Sequence, residues 1–327
     1  MKRQVVGIDI GGTKCAVMLG EEDEGSIRIV EKTRMETDRK EAPESIIERF
    51  EEVIDGLLHK GAAPTAIGIS CGGPLDSVSG RIQRPPNLPR WDDVPITSIL
   101  ATRFHIPAFL QNDANACALA EWRYGAGRGS KNMVFLTFGT GLGAGLILDG
   151  RLYSGTSDMA GEAGHIRLCE QGPAGYGKCG SFEGFCSGGG IAQLGYTLGL
   201  AAYQRGEHPS YYNPEKAPEG ISAKTIAQAA DGGDETALEV YRLCGEKLGY
   251  GLSILMDILN PERIVIGSVF ARSKELLWPA AEQVIKREVL PRAAGCCEVV
   301  AAQLGEQLGD FAAVSTALYQ MEGVTGR

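Results

Sequence analysis

Two glycine-rich turns carry the clearest chemical signal in the sequence. One follows an apolar run from Val5 to Ile10 and the other a run from Val134 to Phe138, and a further apolar run continues after each turn. Alternating glycines permit positive φ and let a bulky group approach the main chain. The pattern predicts two phosphate-binding hairpins, about 130 residues apart, in duplicated halves that face each other across a cleft. The turn residues are Gly11, Gly12, Thr13 and Lys14 in the first hairpin, and Gly139, Thr140, Gly141, Gly143 and Gly145 in the second.

Asp9 stands at the end of the first apolar run, immediately before its turn. A carboxylate at this place can hold Mg²⁺, directly or through water, while the N–H groups of the turn and Thr13 face phosphate oxygens. The simpler alternative is an aspartate that caps its own turn. The second turn of the same design favours the metal and phosphate role.

Asp113 follows a strand pattern at Ala108–Leu110 and precedes an alanine-rich helix pattern that extends to Tyr124. An ionised carboxylate at a helix start is stabilised by the helix dipole by roughly 0.3–1 kcal/mol, and therefore remains a proton acceptor. Phosphoryl transfer to a sugar hydroxyl needs such an acceptor within hydrogen-bonding reach of the attacking oxygen. The alternative is an ordinary N-cap residue, and the residue pattern alone leaves both open.

Glu162, His165 and Glu183 occur in one loop region. Carboxylates and imidazole form directional hydrogen bonds with sugar hydroxyls, although these residue types are also common on surfaces. The same region offers an alternative zinc set with loose spacing and no C-x₂₋₄-C pair. That set is His165, Cys169, Cys179 and Cys186.

Two familiar nucleotide-binding patterns fail. No G-x-x-x-x-G-K-[ST] sequence occurs, so a P-loop is excluded. Gly175, Gly177 and Gly180 match the dinucleotide-binding spacing, but no apolar strand precedes them, so we discount that pattern.

Composition bounds the class of protein. The 327 residues are long for one core, and 43% hydrophobic with 22% charged residues is typical of a globular protein. A net charge of −9 without a Lys/Arg cluster argues against nucleic-acid binding. Asn132–Leu148 is uncharged but too short and glycine-rich for a membrane span, and no signal-peptide pattern precedes Val5. The nine cysteines are odd in number and scattered, which indicates free thiols in a reducing cytoplasm.

Strand and helix patterns alternate in both halves, which is typical of α/β layering. Helical periodicity marks Glu44–His59 and Glu235–Leu259, and a strand pattern at Arg263–Ile266 leads into Gly267. We predict a smaller α/β domain over residues 1–124, completed by a C-terminal helix over residues 310–327. A larger α/β domain is predicted over residues 125–309.

Six motifs in register closely resemble the ROK family of bacterial sugar kinases and related repressors, over nearly the whole chain. They are GIDIGGTK (Gly7–Lys14), GGPLD (Gly72–Asp76), PPNLPRW (Pro85–Trp91), NDANACALAE (Asn112–Glu121), TFGTGLGAG (Thr137–Gly145) and GEAGH (Gly161–His165). The resemblance implies the actin-like, ribonuclease H-like fold, in which two α/β domains bind ATP and sugar in the cleft between them.

The resemblance also implies roles by position. Asp113 corresponds to the family's catalytic base, and Asp9 lies near Mg²⁺ and the phosphates. The implied sugar-binding residues are Gly73, Asn87, Asn112, Asp113, Glu162, His165 and Glu183. The implied nucleotide-binding residues are Asp9, Gly11, Gly12, Thr13, Lys14, Thr137, Gly139, Thr140, Gly141 and Gly267.

One departure from the family pattern concerns zinc. Many members carry CxCGxxGCxE after the GH pair, but alignment on Glu183 places Ala174, Tyr176 and Ser181 at the three cysteine positions. We therefore expect no structural zinc, and something else must order Glu183 and His165.

The resulting hypothesis is a cytoplasmic, ATP- and Mg²⁺-dependent hexose kinase that acts on the 6-hydroxyl of glucose or a close relative. The resemblance implies a homo-oligomer, dimer or tetramer. An N-acetylmannosamine or N-acetylglucosamine kinase is the alternative, because the missing zinc motif weakens the link to glucokinase-like members. A sugar-responsive repressor is disfavoured, since such members carry a helix-turn-helix before the first strand and only Met1–Gln4 precede it here. A non-catalytic sugar sensor is disfavoured by the intact Asp9, Asp113 and both turns.

Overall fold

The structure is a computed structural model that describes residues 2–325, with side chains described for residues 2–323. Met1 and residues 326–327, which belong to the predicted N-terminal domain and closing helix, lie outside the described residues. The remainder is a mixed α/β fold, and the α/β layering expected from the sequence is confirmed.

The first part of the chain alternates strands and helices. Its elements are β1 (Arg3–Ile10), β2 (Lys14–Asp23), β3 (Ser26–Glu36), α1 (Pro43–His59), β4 (Ile67–Cys71), β5 (Leu75–Asp76), β6 (Arg81–Ile82), α2 (Ile96–Phe104), β7 (Ala108–Asn112) and α3 (Asp113–Tyr124).

The second part has more helix. Its elements are β8 (Met133–Leu136), β9 (Ala144–Leu148), β10 (Arg151–Tyr153), β11 (Ala174–Gly175), β12 (Lys178–Cys179), α4 (Phe182–Phe185), α5 (Gly188–Gln204), α6 (Ala223–Asp231), α7 (Glu235–Leu259), β13 (Arg263–Ile266), α8 (Val269–Glu288), α9 (Pro291–Ala294), β14 (Glu298–Ala301) and α10 (Leu308–Thr325). Short 3₁₀ turns cover Ala163–His165 and Gly305–Gln307.

The two large sheets have the same plan. The first has the strand order β3-β2-β1-β4-β7 and the second β10-β9-β8-β13-β14. In the first, β1, β2 and β3 pair antiparallel and β4 and β7 continue in parallel with β1. In the second, β9 and β10 pair antiparallel, and β8, β13 and β14 pair in parallel. The matching orders agree with the duplication that the two turns predict.

Compact packing divides the chain into two units. Unit 1 contains the described residues of Met1–Lys131, Gly145–Ala160 and Gln303–Arg327, and unit 2 contains Asn132–Ala144 and Gly161–Ala302. Within residues 2–325, no helix combines the length and apolar character needed to cross a membrane.

Helix α10 packs unusually close to one face of the first sheet. A Cβ on Gly68 of β4 would lie 2.1 Å from the main-chain oxygen of Ala313, and one on Gly20 of β2 would lie 2.6 Å from Val314. Glycines in these strands therefore let the backbones of sheet and helix approach each other. The opposite face packs against α1 and α2 in a larger apolar core that includes Phe50 and Trp91.

We predict that Gly68→Ala lowers the free energy of unfolding by about 2 kcal/mol or more, because the new methyl group meets backbone that cannot rotate away. Gly56→Ala is the matched control. Gly56 lies inside α1 with open space around its Cβ position, so we expect a gain of roughly 0.5–1 kcal/mol. Urea unfolding of both variants measures the effects. A Gly68→Ala variant as stable as the wild type would contradict the packing account.

Candidate active site

Parallel pairing in the first sheet brings three strand ends to one edge. Ile10 of β1 is in register with Cys71 of β4, and Cys71 with Asn112 of β7. The residues that follow or flank these ends are therefore neighbours. A Cβ on Gly72 would lie 3.9 Å from Asp113 Oδ2 and 3.8 Å from Asn87 Nδ2. Unit 1 thus assembles Asp113, Asn87 and Gly72, which the sequence separates by up to 41 positions.

Asn112 is the N-cap residue of α3. Its Oδ1 accepts the N–H groups of Ala114 and Asn115 at 2.9 and 3.4 Å. Asp113 is the first helical residue, and its Oδ1 accepts the Ala114 N–H at 2.8 Å. The alternative that Asp113 is merely the N-cap is therefore wrong. Its second oxygen, Oδ2, lies on the side of Gly72, and the Asn112 amide nitrogen lies 3.5 Å from the Cβ position of Gly73.

The pKa of Asp113 differs from the expectation. Loss of hydration raises the pKa of Asp113, while hydrogen bonds from the Ala114 and Asp113 N–H groups lower it by less. The helix start therefore does not dominate, and the carboxylate has a higher proton affinity than an ordinary aspartate. The Asp113 side chain is exposed, and contact with solvent limits the size of the shift.

Asp9 is more strongly perturbed. Desolvation, followed by the charges of Asp113 and Asp310, raises the pKa of Asp9 to about 7, and Lys32 opposes the shift. Asp310 forms an ion pair with Lys32 at the start of α10, and Asp9 Oδ2 lies 3.4 Å from the Cβ position of Gly309. The sequence analysis missed Lys32 and Asp310, because nothing in the local pattern links positions 278 residues apart.

Gly11 and Gly12 serve close approach in the first turn, since neither has positive φ. The Gly11 N–H donates to the Lys14 carbonyl at 3.1 Å, and a Cβ on Gly11 would lie 2.6 Å from that oxygen. A Cβ on Gly12 would lie 2.7 Å from Cβ of Asn87. The side chains of Thr13 and Lys14 are exposed beside this turn.

The second turn also departs from expectation. Strand β8 ends at Leu136, before the predicted end at Phe138. The Gly143 N–H donates to Thr137 Oγ1 at 2.9 Å, and the Thr137 N–H donates to the Gly143 carbonyl at 3.0 Å. Phe138 takes the positive φ, +31°, whereas Gly139 and Gly141 do not. The Gly139 N–H donates to the Gly141 carbonyl at 2.9 Å, and this bond closes the turn.

Two helices begin at this second turn. The Gly188 N–H at the start of α5 donates to the Gly139 carbonyl at 2.8 Å, and the Val269 N–H of α8 donates to the Phe138 carbonyl at 3.0 Å. Unit 2 therefore brings Thr137, Gly139, Thr140, Gly141 and Gly267 together beside two helix N-termini, an arrangement that favours anions. Ser268, with φ +52° and ψ −109°, joins Gly267 to α8 in a strained conformation. The sequence analysis did not single out Ser268, although a serine directly before a helix pattern is a signal for such a junction.

Glu183 connects the second turn with the GEAGH segment. Its Oε2 accepts the Leu142 N–H at 3.0 Å and lies 2.7 Å from the Cβ position of Gly141. Its Cβ lies 3.2 Å from the Cβ position of Gly164, in the 3₁₀ turn that ends at His165. Glu162 immediately precedes this turn and is exposed.

The cysteines of the alternative zinc set have other contacts. Cys169 Sγ lies 2.8 Å from the Gln171 carbonyl, and Cys186 Sγ lies in the core, 3.6 Å from the Cys244 carbonyl. Among the described residues, no group of three or more His, Cys, Asp or Glu side chains has an arrangement that could hold a metal ion.

We predict that Asp9→Asn changes the pH dependence of stability. Between its unfolded value near 3.8 and its folded value of about 7, Asp9 holds more protons in the folded chain, so the free energy of unfolding falls as pH rises. In metal-free buffer, the free energy of unfolding of the variant should rise relative to that of the wild type by about 1–3 kcal/mol as pH increases from about 4.5 to about 8. Urea unfolding measures this, with Asp23→Asn as the exposed control. A difference that is independent of pH would contradict the assignment.

Comparison with known proteins identifies the family of this chain. The model of the ROK family matches residues 5–319. A glucokinase of Thermotoga maritima is 33% identical over 315 residues, which cover 96% of this chain and 97% of that protein. A xylose repressor of Caldicellulosiruptor bescii is 29% identical, over 86% of this chain and 70% of the repressor.

Two solved structures are similar to this chain over nearly its whole length. The ROK hexokinase of Thermus thermophilus has a TM-score of 0.80 and 29% identity, with 99% of this chain and 100% of that chain covered. A ROK glucokinase from Streptomyces griseus in complex with glucose and AMPPNP has a TM-score of 0.74 and 29% identity, with 97% and 99% covered. These neighbours confirm the predicted actin-like α/β fold class. The strand-end carboxylates, the paired glycine turns and the family model together establish that this chain belongs to the ROK family.

Proposed function

We propose that this protein is an ATP-dependent hexose kinase that transfers the γ-phosphoryl group to the 6-hydroxyl of glucose or a related hexose. The glucokinase relative, nearly equal in length, supports the coarser statement, and on that basis the chain is a sugar kinase. The position of the hydroxyl and the identity of the sugar are the proposal. The observation that carries it is the Asp113 carboxylate beside Gly72 and Asn87, with one oxygen not occupied by the helix cap.

Asp113 is the proposed general base. Transfer requires the sugar hydroxyl to lose its proton as its oxygen attacks phosphorus, and a carboxylate with a raised pKa accepts that proton more readily. The hydrogen bond from the Ala114 N–H fixes the orientation of the carboxylate. The Asn112 cap in turn fixes the helix start, so the base does not depend on a mobile loop.

The phosphates of ATP are assigned to the two turns. The first turn offers Gly11, Gly12, Thr13 and Lys14, and the second offers Thr137, Gly139, Thr140, Gly141 and Gly267. Helices α5 and α8 begin at the second turn, and their dipoles favour the negative charge of the transferred group. The nucleotide complex of the Streptomyces griseus neighbour supports the use of ATP.

Asp9 is the proposed Mg²⁺ residue, directly or through water. The support for this role is electrostatic, because the charges of Asp113 and Asp310 oppose ionisation of Asp9 and a cation beside it would relieve that repulsion. When bound, Mg²⁺ neutralises charge that develops on the phosphates.

The proposed sugar residues offer hydrogen-bonding groups to a hexose. Carboxylates and imidazole accept hydrogen bonds from hydroxyls, and side-chain amides both donate and accept them. The directions of these hydrogen bonds can therefore fix the orientation of a bound hexose. The residues are Gly73, Asn87, Asn112, Glu162, His165 and Glu183. An N-acetylhexosamine kinase is the alternative within this chemistry.

A sugar-sensing regulator is the second candidate, because the xylose repressor is 29% identical to this chain. A regulator needs the sugar residues but not a proton acceptor or a phosphate site. The turns and the Asp113 geometry therefore favour the kinase.

We predict that Asp113→Asn lowers kcat by about 10²–10⁴-fold, because the amide cannot accept the hydroxyl proton. Hexose binding, measured by calorimetry, should change by less than about fivefold, since the amide retains an oxygen and the Asn112 cap is untouched. Asp23→Asn serves as the control for a lost surface charge. Turnover of the Asp113 variant within about tenfold of the wild type would rule out the base.

A substrate panel separates the candidate functions. We expect coupled ADP release with glucose, ATP and Mg²⁺, and a kcat/KM lower by at least about tenfold for N-acetylmannosamine and N-acetylglucosamine. The reverse ranking would favour the N-acetylhexosamine kinase. Sugar binding without ADP release from any sugar would favour the regulator.

A further inference from the structure

The segment from His165 to Glu183, here named the sugar loop, holds two of the proposed sugar residues. At the positions where the resemblance implies zinc-binding cysteines in many family members, this chain has Ala174, Tyr176 and Ser181. None of these supplies a thiolate. Other contacts must therefore hold this loop in a defined conformation. They involve residues that have no role in the proposed reaction.

A small hairpin lies at the centre of the sugar loop. Strands β11 and β12 pair antiparallel, with Ala174 opposite Cys179 and Gly175 opposite Lys178. The connecting residues, Tyr176 and Gly177, have φ of +45° and +76°. Two consecutive positive φ values are typical of the tight type I′ turn, which matches the twist of the strands it joins.

Gln193, on the second turn of α5, fastens this hairpin. Its Nε2 donates to the Ala174 carbonyl at 2.9 Å, and its Oε1 accepts the Ala174 N–H at 3.1 Å. One side chain thus satisfies both main-chain groups of the first hairpin residue. Because α5 begins at the second phosphate turn, this pair connects the hairpin to the scaffold of the nucleotide residues.

The hairpin in turn holds His165. Lys178 Nζ donates to the His165 carbonyl at 2.8 Å. The Tyr176 ring contacts the His165 ring edge to face, with centroids 5.4 Å apart and planes at 77°. Tyr176 remains 70% exposed, so burial in a core does not explain its place. These contacts restrict both the main chain and the ring plane of His165.

The same hairpin packs against Glu183. A Cβ on Gly175 would lie 2.7 Å from Cβ of Glu183, so the strand lies directly on the glutamate. Ser181, fully buried, caps α4 by accepting the Gly184 N–H at 3.0 Å. Glu183 lies inside the first turn of this helix and is therefore fixed from both sides.

We propose that Gln193, Lys178 and Tyr176 are positioning residues that hold His165 and Glu183 in the geometry that binds the hexose, in the role that a metal centre has in zinc-bearing relatives. The proposal rests on the proposed function for the assignment of His165 and Glu183 to the sugar. It predicts that these residues control affinity for the sugar and leave the nucleotide interactions almost unchanged.

The test uses steady-state kinetics of the full chain. Gln193→Ala and Lys178→Met should each raise KM for the hexose about three- to tenfold, because each removes hydrogen bonds that order the loop, while KM for ATP stays within about twofold. Lys178→Arg keeps a donor for the His165 carbonyl and should restore most of the affinity. Gln228→Ala and Lys224→Met, both exposed on α6, are the matched controls.

Two further readouts separate this inference from the proposed function. Hexose binding by calorimetry and amide hydrogen exchange over residues 165–183 do not require turnover. Faster exchange and weaker binding in Gln193→Ala would support the inference even if no ADP were released, in which case only the kinase proposal fails. Unchanged KM, binding and exchange in both variants, or no hexose binding by the wild type, would overturn it. Loss of hexose binding by the wild type after treatment with a zinc chelator, in excess Mg²⁺, would overturn it as well.

Discussion

The parallel pairing of β1, β4 and β7 is the constraint on which the proposed chemistry of unit 1 depends. Because parallel strands end at one edge, the register of Ile10 with Cys71 and of Cys71 with Asn112 forces Asp9, Gly72 and Asp113 to be neighbours. That register cannot slip by one residue without turning the buried side chains of the sheet to the wrong face. The carboxylates are therefore held close enough for the charge of Asp113 to raise the pKa of Asp9.

Charge repulsion at this edge affects both the stability of the fold and the proposed binding of a cation. Desolvation of Asp9 beside the charges of Asp113 and Asp310 destabilises the folded chain at neutral pH. Lys32 and the hydrogen bond to Asp113 offset part of this cost. Close packing of α10 on Gly68 brings Asp310 to this place. In the proposed kinase, a divalent cation at Asp9 would relieve this repulsion, so a property that costs stability without ligand would favour binding of the ligand.

The sequence predicts the parts of the site that depend on local pattern. Both turns, the α/β layering and a helix that begins next to Asp113 follow from spacing, and the structure has each of them. Other features depend on tertiary neighbours and could not be predicted. The pKa of Asp113 is set by desolvation rather than by the helix start, and the positive φ of the second turn falls on Phe138 rather than on a glycine. The side chains of Gln193 and Lys178 bond to main-chain carbonyls. Every residue type has a main-chain carbonyl, so the sequence does not reveal these partners.

In the proposed mechanism, the Asp113 carboxylate receives the proton of the hydroxyl that attacks phosphorus. A crystal structure of the protein with glucose and a non-hydrolysable ATP analogue tests this directly. We expect the oxygen of the 6-hydroxyl at about 2.6–3.2 Å from Asp113 Oδ2, on the side of Gly72 and Asn87. A bound hexose whose hydroxyls all lie beyond about 5 Å from that carboxylate, with the nucleotide in place, would rule out Asp113 as the base.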